Sequence, residues 1–275
     1  MGPCGRMNAI SLAAALRSVI LPNIFHIYGR VSNKNPGATM RLIVLTTGAV
    51  RRRYFVGQLQ RRYPIARIFV ETRDPKPPFP VAHPLDAARK AAERDAWFDG
   101  APPAFESIAE VERHDSLNAP AAIASMRALR PDVAIVYGTG RLSADVIATC
   151  PQGCVNFHNG DPEEYRGLDC HLWPVYHRDF AALRMTLHRI EPELDTGAIV
   201  DRRPVPLVPA MPLSELRRAA TELATAMALD ALAGFARDGV FAARPQVRTG
   251  RYYSWMPAVL KDICVRNFER HTNAL

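Results

Sequence analysis

Val133-Ala-Ile-Val-Tyr137, followed at once by Gly138-Thr-Gly-Arg-Leu142, sets the architecture of this chain. The first five residues are apolar and do not alternate with polar ones, so they read as a strand covered on both faces. The glycines behind them end the strand in a turn. Towards the N-terminus, Leu42-Ile-Val-Leu45 repeats the pattern and predicts a strand over 41–46, followed by a helix near 50–62 and a strand from Ile65 to Thr72. Residues 73–84 hold five prolines and are irregular. Helices are predicted over 85–98 and 119–129, the second entered through Asn118 and Pro120 as cap and first turn. Towards the C-terminus come a short helix at 142–149, a strand at 153–157, a helix at 171–181 and strands at 185–190 and 198–206 that suit pairing with each other. A long Ala/Leu-rich helix covers 213–236 and ends by Gly239. Arg251-Tyr-Tyr-Ser-Trp255 reads as a strand or a binding loop, and 257–268 as a last helix. Strands alternating with helices predict an α/β fold: a doubly wound, mostly parallel sheet with a short C-terminal extension.

Met40 directly precedes the first strand, so the fold is expected to begin there. Residues 1–39 read as a loosely attached extension or an over-early start, 40–207 as the catalytic domain, and 208–275 as a helical and aromatic extension. The apolar helices of that last segment have few partners within a minimal domain, which suits a homodimer.

The chain has 275 residues, a formal net charge of +8 and five cysteines. No run of eighteen or more apolar residues indicates a membrane partner. An odd cysteine count without a Cys-x-x-Cys pair suggests neither a disulfide framework nor a zinc site, and a reducing, cytoplasmic setting is expected. Cys154 and Cys170 read as buried bulk. The basic surface attracts anionic small molecules or nucleic acid. No RNA-recognition signature, zinc-finger spacing or interleaved basic-aromatic tract supports a nucleic-acid partner. Arg51-Arg-Arg53 sits at a predicted helix start, where positive charge meets the positive end of the helix dipole; an anion could offset that cost.

The chemistry concentrates in Val155-Asn-Phe-His158, the loop Asn159-Gly-Asp-Pro-Glu-Glu-Tyr-Arg-Gly167, and Leu194-Asp-Thr-Gly197. In a parallel sheet, ligands bind outside the carboxyl ends of the strands. Asn156 and His158 fall at such an end, two apart, so both face one small space. Asp195 lies in a tight turn that can reach the same cleft. An Asn amide can hold a developing oxyanion, a His can move protons near neutral pH, and a carboxylate can support the charged His. No Ser or Cys is evidently paired as a nucleophile, which favours direct attack by a substrate. Asn-x-His at a strand end is by itself more often structural than catalytic.

The ordered set resembles the 10-formyltetrahydrofolate-dependent formyltransferase family, which has an Asn-x-His at a strand end, a proline-containing loop closing on Gly, and a later Asp-x-Gly. Asn156-Phe-His158, then Pro162, Tyr165, Arg166 and Gly167, then Asp195-Thr-Gly197 match in order, and Thr186-Leu-His188 resembles the strand before that Asp. The likeness covers roughly residues 40 to 207. It implies a Rossmann-like fold and N10-formyltetrahydrofolate as co-substrate without a metal. It further implies Asn156, His158 and Asp195 as catalytic residues, with Gly138, Thr139, Gly140, Arg141 and Leu142, together with Thr196 and Gly197, around the pterin. Asp161, Tyr165, Arg166 and Gly167 belong to the loop that lies beside the acceptor in relatives, so they are expected to contact the substrate. Arg166 equally suits an acceptor phosphate or a surface pair with Glu163 or Glu164. His177 and His188 read as structural and Trp173 as core.

The loop after His158 departs from the family's usual Ser-Leu-Leu-Pro, which leaves the acceptor open. The segment after 207 does not resemble the barrel with which methionyl-tRNA formyltransferase grips tRNA, so a small-molecule amine is expected, with a nucleotide-linked amino sugar favoured. The alternatives are a formyltetrahydrofolate hydrolase, a non-catalytic folate-binding module and a nicotinamide oxidoreductase. The last lacks its fingerprint, because the first strand ends Thr46-Thr-Gly-Ala-Val50 without Gly-x-Gly-x-x-Gly.

Overall fold

The computed structural model describes residues 40–275; the expectation for 1–39 lies outside them. Seven strands form one sheet in the order β3-β2-β1-β4-β5-β7-β8. In chain order these are β1 (Leu42–Thr47), β2 (Ile65–Glu71), β3 (Val111–His114), β4 (Val133–Tyr137), β5 (Cys154–His158), β7 (Arg184–Arg189) and β8 (Ile199–Pro204). The first five are mutually parallel. β7 and β8 close one edge antiparallel, pairing with each other as their sequence suggested. A separate parallel pair joins β6 (Tyr165–Gly167) to β9 (Arg251–Tyr253).

The period of two along each strand sorts the core into two layers. Leu42 and Val44 of β1 and Val133, Ile135 and Tyr137 of β4 face one hydrophobic cluster. Ile43 and Leu45, and Ala134 and Val136, face the other. The first face is covered by α1 (Val50–Gln60), α2 (Pro84–Trp97) and α6 (Leu213–Asp238); the second by α3 (Pro120–Leu129) and α4 (Ala144–Ile147). Two shorter pieces complete the chain, α5 (Trp173–His177) and a C-terminal α7 (Ala258–Thr272). The sheet is therefore doubly wound, as expected. α2 starts where His83 accepts the Leu85 amide and Asp86 accepts the His83 amide, both at 3.1 Å. α6 stops at Gly239, whose φ of 72° closes the last turn in the left-handed region.

The segment after 207 is not an appendage. Leu213, Leu216, Ala224, Met227, Ala228, Leu232 and Phe235 of α6 are buried in the same cluster as β1 and β4, and residues 40–275 form one compact unit. α6 is long and apolar enough to match a membrane span by composition, but half of its most apolar window is buried in this core. Its apolar face is thus covered within the chain, and the argument for a homodimer from unpartnered helices lapses. Two strands escaped the sequence reading, β3 and β6. Both are short, and β3 carries Glu112 and Arg113 between its apolar start and His114.

Candidate active site

A cleft of about 600 Å³ opens at the carboxyl ends of β1, β4 and β5, lined among others by Asn156, His158, His188 and Asp195. Alternation along β5 turns Val155 and Phe157 into the first core layer and leaves Asn156 and His158 on the opposite side. β7 lies antiparallel beside it and pairs Asn156 with His188 and His158 with Thr186. Four polar residues thus share one face of two neighbouring strands.

His158 is 6% exposed. Its Nε2 lies 2.8 Å from the Tyr165 carbonyl and its Nδ1 3.5 Å from Asp195 Oδ2. Since a carbonyl only accepts, Nε2 carries a hydrogen, and Nδ1 faces the carboxylate. On the other side of Asp195, His188 Nε2 lies 3.6 Å from Oδ1. His188 Nδ1 donates to the Arg189 carbonyl at 2.7 Å, which leaves Nε2 to accept from Asn156 Nδ2 at 3.2 Å. The bond fixes which way the Asn156 carboxamide points. His188, read from sequence as structural, is therefore a positioning residue. Its role depends on the register of β5 against β7, which no local pattern in the sequence reports.

Asp195 has φ 55°, in the left-handed region that Asp tolerates better than most side chains. The turn is clamped: Gln246 Nε2 donates to the carbonyls of Asp195 and Gly197 at 2.8 and 2.9 Å. A Cβ on Gly197 would collide with the Arg189 carbonyl oxygen, so only glycine fits there. Burial works against the charge on the Asp195 carboxyl. It is outweighed by His158 foremost and by the Gly167 amide, which donates to Oδ2 at 2.9 Å, and the group is held well below the usual carboxylate range.

Gly138 to Leu142 line the cleft together with Val136 and Ile190. The turn is held in place: the Gly140 amide donates to Glu71 at 2.6 Å, Asn118 donates to the Arg141 carbonyl at 2.9 Å, and Arg141 Nε donates to the Pro192 carbonyl at 2.7 Å. Rigid backbone edges over an apolar floor suit a flat heterocycle with donors and acceptors on its rim. Thr196 and Gly197 are not part of the lining; Thr196 turns its hydroxyl to the Glu193 carbonyl, and Gly197 braces the turn.

The loop expected to touch substrate divides. Gly167 lines the cleft, but Asp161, Tyr165 and Arg166 do not. Asp161 is 5% exposed and both its oxygens accept from Arg202 at 2.8 Å. Glu163 accepts from Arg202 at 2.6 Å, from Arg244 at 2.9 and 3.0 Å and from the Val247 amide at 2.7 Å. The Arg244 guanidinium foremost, with the Val247 amide and Arg202, overcomes burial and pulls the Glu163 carboxyl down to about 2. These carboxylates tie the loop to β8 and to residues 244–248. The Tyr165 ring stacks on Tyr253 at 5.3 Å and its hydroxyl donates to Asp179, so only its carbonyl serves the site. Arg166 pairs with neither Glu163 nor Glu164; Glu164 is taken by Arg248.

Cys170 lines the cleft, and burial, before Asp195 and Asp169, pushes its thiol well above the ordinary range, so it is bulk as expected. Among the described residues no three His, Cys, Asp or Glu side chains converge as a metal site. His171, Arg51 and Arg52 also line the cleft.

A family profile described as formyl transferase matches residues 73–232. Methionyl-tRNA formyltransferase of Roseiflexus castenholzii is 35% identical over 133 residues, 48% of this chain and 42% of that protein. Its counterpart in Ralstonia pickettii is 29% identical over 155 residues, 56% of this chain and 46% of that protein. The matches thus span less than half the length of these curated relatives. Among solved structures, glycinamide ribonucleotide transformylase 1 from Symbiobacterium toebii superposes with a TM-score of 0.54 at 17% identity, over 80% of this chain and 100% of that one. HypX from Aquifex aeolicus, in complex with tetrahydrofolic acid, gives 0.52 at 18% identity, over 84% of this chain and 34% of that one. At these identities the structural likeness is one of fold. With the profile covering more than half of its length, and the ordered Asn156, His158 and Asp195 at one cleft, the chain belongs to the formyl transferase family.

Proposed function

We propose that the chain transfers the formyl group of N10-formyltetrahydrofolate to the amine of a small-molecule acceptor, with a nucleotide-linked amino sugar as the favoured class. The observation that carries this reading is the convergence of Asn156, His158 and Asp195, with His188 orienting the amide. The pterin would lie against Gly138 to Leu142 and Ile190, with its formyl carbon above Asn156. The acceptor nitrogen attacks that carbon directly. Negative charge gathers on the former carbonyl oxygen, where the second hydrogen of the Asn156 amide meets it, joined by the His158 Nε2 proton once the ring turns from the Tyr165 carbonyl. The carbon–N10 bond then breaks, N10 takes a proton, and the proton lost by the amine leaves through the Asp195–His158 pair or a water held between them. Burial of Asp195 strengthens its interaction with His158, since water screens the pair less.

The basic surface supports an anionic acceptor. Relatives named for methionyl-tRNA make charged tRNA the competing acceptor class. The test is release of tetrahydrofolate from N10-formyltetrahydrofolate with a nucleotide amino sugar, hydroxyornithine, glycinamide ribonucleotide, methionyl-tRNA or no acceptor. Release that depends on one small amine is expected. Release only with tRNA would replace the acceptor class, and release without any acceptor would make the chain a hydrolase.

A further inference from the structure

Residues 242–249 are an exposed run from which one side chain turns inward: Gln246 is half-buried, while Pro245 and Val247 beside it stand exposed. Its Nε2 donates to the carbonyls of Asp195 and Gly197 at 2.8 and 2.9 Å. A carbonyl only accepts, so both bonds need the amide's hydrogens. They hold both ends of the turn that carries the Asp195 carboxylate. Gln246 itself is not part of the cleft lining.

The backbone on either side of Gln246 is anchored separately. Arg244 exchanges amide and carbonyl bonds with Ile199 at 2.8 and 2.9 Å. The Val247 amide donates to Glu163 at 2.7 Å, and the Gly250 amide to the Pro162 carbonyl at 3.0 Å. One short segment therefore joins the start of β8 to the loop after His158. These two pieces complete the site between them. The loop supplies the Tyr165 carbonyl to His158 and the Gly167 amide to Asp195, and the turn before β8 supplies Asp195 itself.

The local backbone needs this support. Asp169 and Asp195, both in the cleft lining, have φ of 50° and 55°. Outside glycine, such a conformation persists only where the surroundings impose it. Both residues are held from the same stretch of chain: Asp169 accepts the Met256 amide at 2.9 Å, and the Asp195 turn accepts from Gln246. The carboxylate also has little margin. Asp195 Oδ2 stands 3.5 Å from His158 Nδ1, beyond a well-formed hydrogen bond. A catalytic group misplaced by about 1 Å can lose about a hundredfold in rate.

We infer that Gln246 is a positioning residue for the transfer: its two hydrogen bonds hold the turn so that Asp195 faces His158. The inference rests on the transfer reading above, in which Asp195 supports His158. It places a determinant of the site beyond residue 232, where the family match ends.

Three variants test it. Gln246→Glu keeps the shape but turns oxygens towards the two carbonyls. Gln246→Leu fills the space without a donor. Gln246→Lys restores a donor, since its ammonium can reach both carbonyls. Amide hydrogen exchange is followed by NMR on the intact, isotope-labelled chain. Single-turnover release of tetrahydrofolate from N10-formyltetrahydrofolate is measured with the acceptors named above, and tetrahydrofolate binding is titrated on the same samples.

In Gln246→Glu and Gln246→Leu the Gly167 amide, bonded to Asp195 Oδ2, should exchange at least about tenfold faster. The Leu168 amide, bonded to the Tyr253 carbonyl, and the Val44 amide of the core should keep their rates. Release should slow by about tenfold to a hundredfold with tetrahydrofolate affinity unchanged within about twofold, and Gln246→Lys should restore both readouts in large part. Gln246→Leu should add no further slowing to Asp195→Ala, because it acts through that carboxylate. Unchanged Gly167 exchange in both variants that lack a donor would overturn the inference, as would slowing that adds in full to that of Asp195→Ala. Joint loss of Gly167 and Leu168 protection would make Gln246 a general brace of the fold and overturn it equally. Wild-type chain that releases no tetrahydrofolate with any acceptor would sink the transfer reading instead, while the exchange rates still decide whether Gln246 holds Asp195.

Discussion

His188 shows how one side chain can matter without touching a reacting atom. It donates from Nδ1 to a carbonyl, accepts from Asn156 and stands 3.6 Å from Asp195. His188→Ala frees the Asn156 amide to rotate at a cost of about 1.4 kcal/mol, so kcat should fall roughly tenfold. KM for the folate should stay nearly constant, because the pterin wall at Gly138 to Leu142 is untouched; steady-state kinetics with varied folate checks the split. Asp195, held well below the usual carboxylate range, stays ionised at every working pH. Asp195→Asn should therefore lower the rate across the whole pH–rate profile rather than move its acid limb. Asn156, His158 and Asp195 were legible in the sequence because a period of two and an ordered motif suffice to find them. His188 was not, since it faces Asn156 only through strand register. Asp161 and Arg166 were misplaced for a related reason: the partner of Asp161 is Arg202, on a strand that follows much later.

The loop from Asn159 to Gly167 and the segment 244–250 behave as one element. Glu163 holds them together through Arg202, Arg244 and the Val247 amide, and the Gly250 amide donates to the Pro162 carbonyl at 3.0 Å. Glu163→Gln leaves two guanidiniums poorly matched and should cost about 1–3 kcal/mol, roughly 2–10 °C in Tm. The Glu163 carboxyl is depressed in the folded state, to about 2. A depressed acid contributes stability that is present above its unfolded value, near 4.3, and is lost as pH falls through the folded one. The wild type should thus lose stability between about pH 4 and 2 more steeply than Glu163→Gln, as thermal melts across that range would show. A matching slope in both proteins would remove Glu163 from that role. The strands β1, β4 and β5 were readable because their apolar runs are uninterrupted. β6 was not, because its three residues form a strand only against β9, far along the chain.

For the molecule as a whole, the extension after 207 is the instructive difference. The motifs that carry the resemblance end near there, but neither the family match, which runs to residue 232, nor the hydrophobic cluster does: α6 lies on the same sheet face as α1 and α2. A stretch cut at 40–207 would expose Met185 and Leu187 of β7 and the buried sides of α1 and α2 from beneath α6. Such a fragment should show no cooperative thermal transition, whereas residues 40–275 should unfold in one step; calorimetry on both decides it. Within the intact chain, Leu232→Ala should cost about 2–5 kcal/mol, as for other fully buried leucines. A cooperatively folding 40–207 fragment would restore the boundary that the resemblance suggested. The α/β alternation was sufficient for the fold class, since the apolar strands of the sheet centre and the helices between them announce themselves locally. The unity of the core was not, since it depends on which helix lies over which strand.

All of these levels meet at His158, between the Tyr165 carbonyl and Asp195. The decisive measurement is single-turnover release of tetrahydrofolate from N10-formyltetrahydrofolate by the wild type, Asn156→Ala and His158→Ala, with folate binding titrated on the same samples. Both variants should bind folate as the wild type does and release tetrahydrofolate about 10²–10⁴-fold more slowly. His158→Ala protein that turns over at the wild-type rate would contradict the assignment of this cleft as the site of transfer.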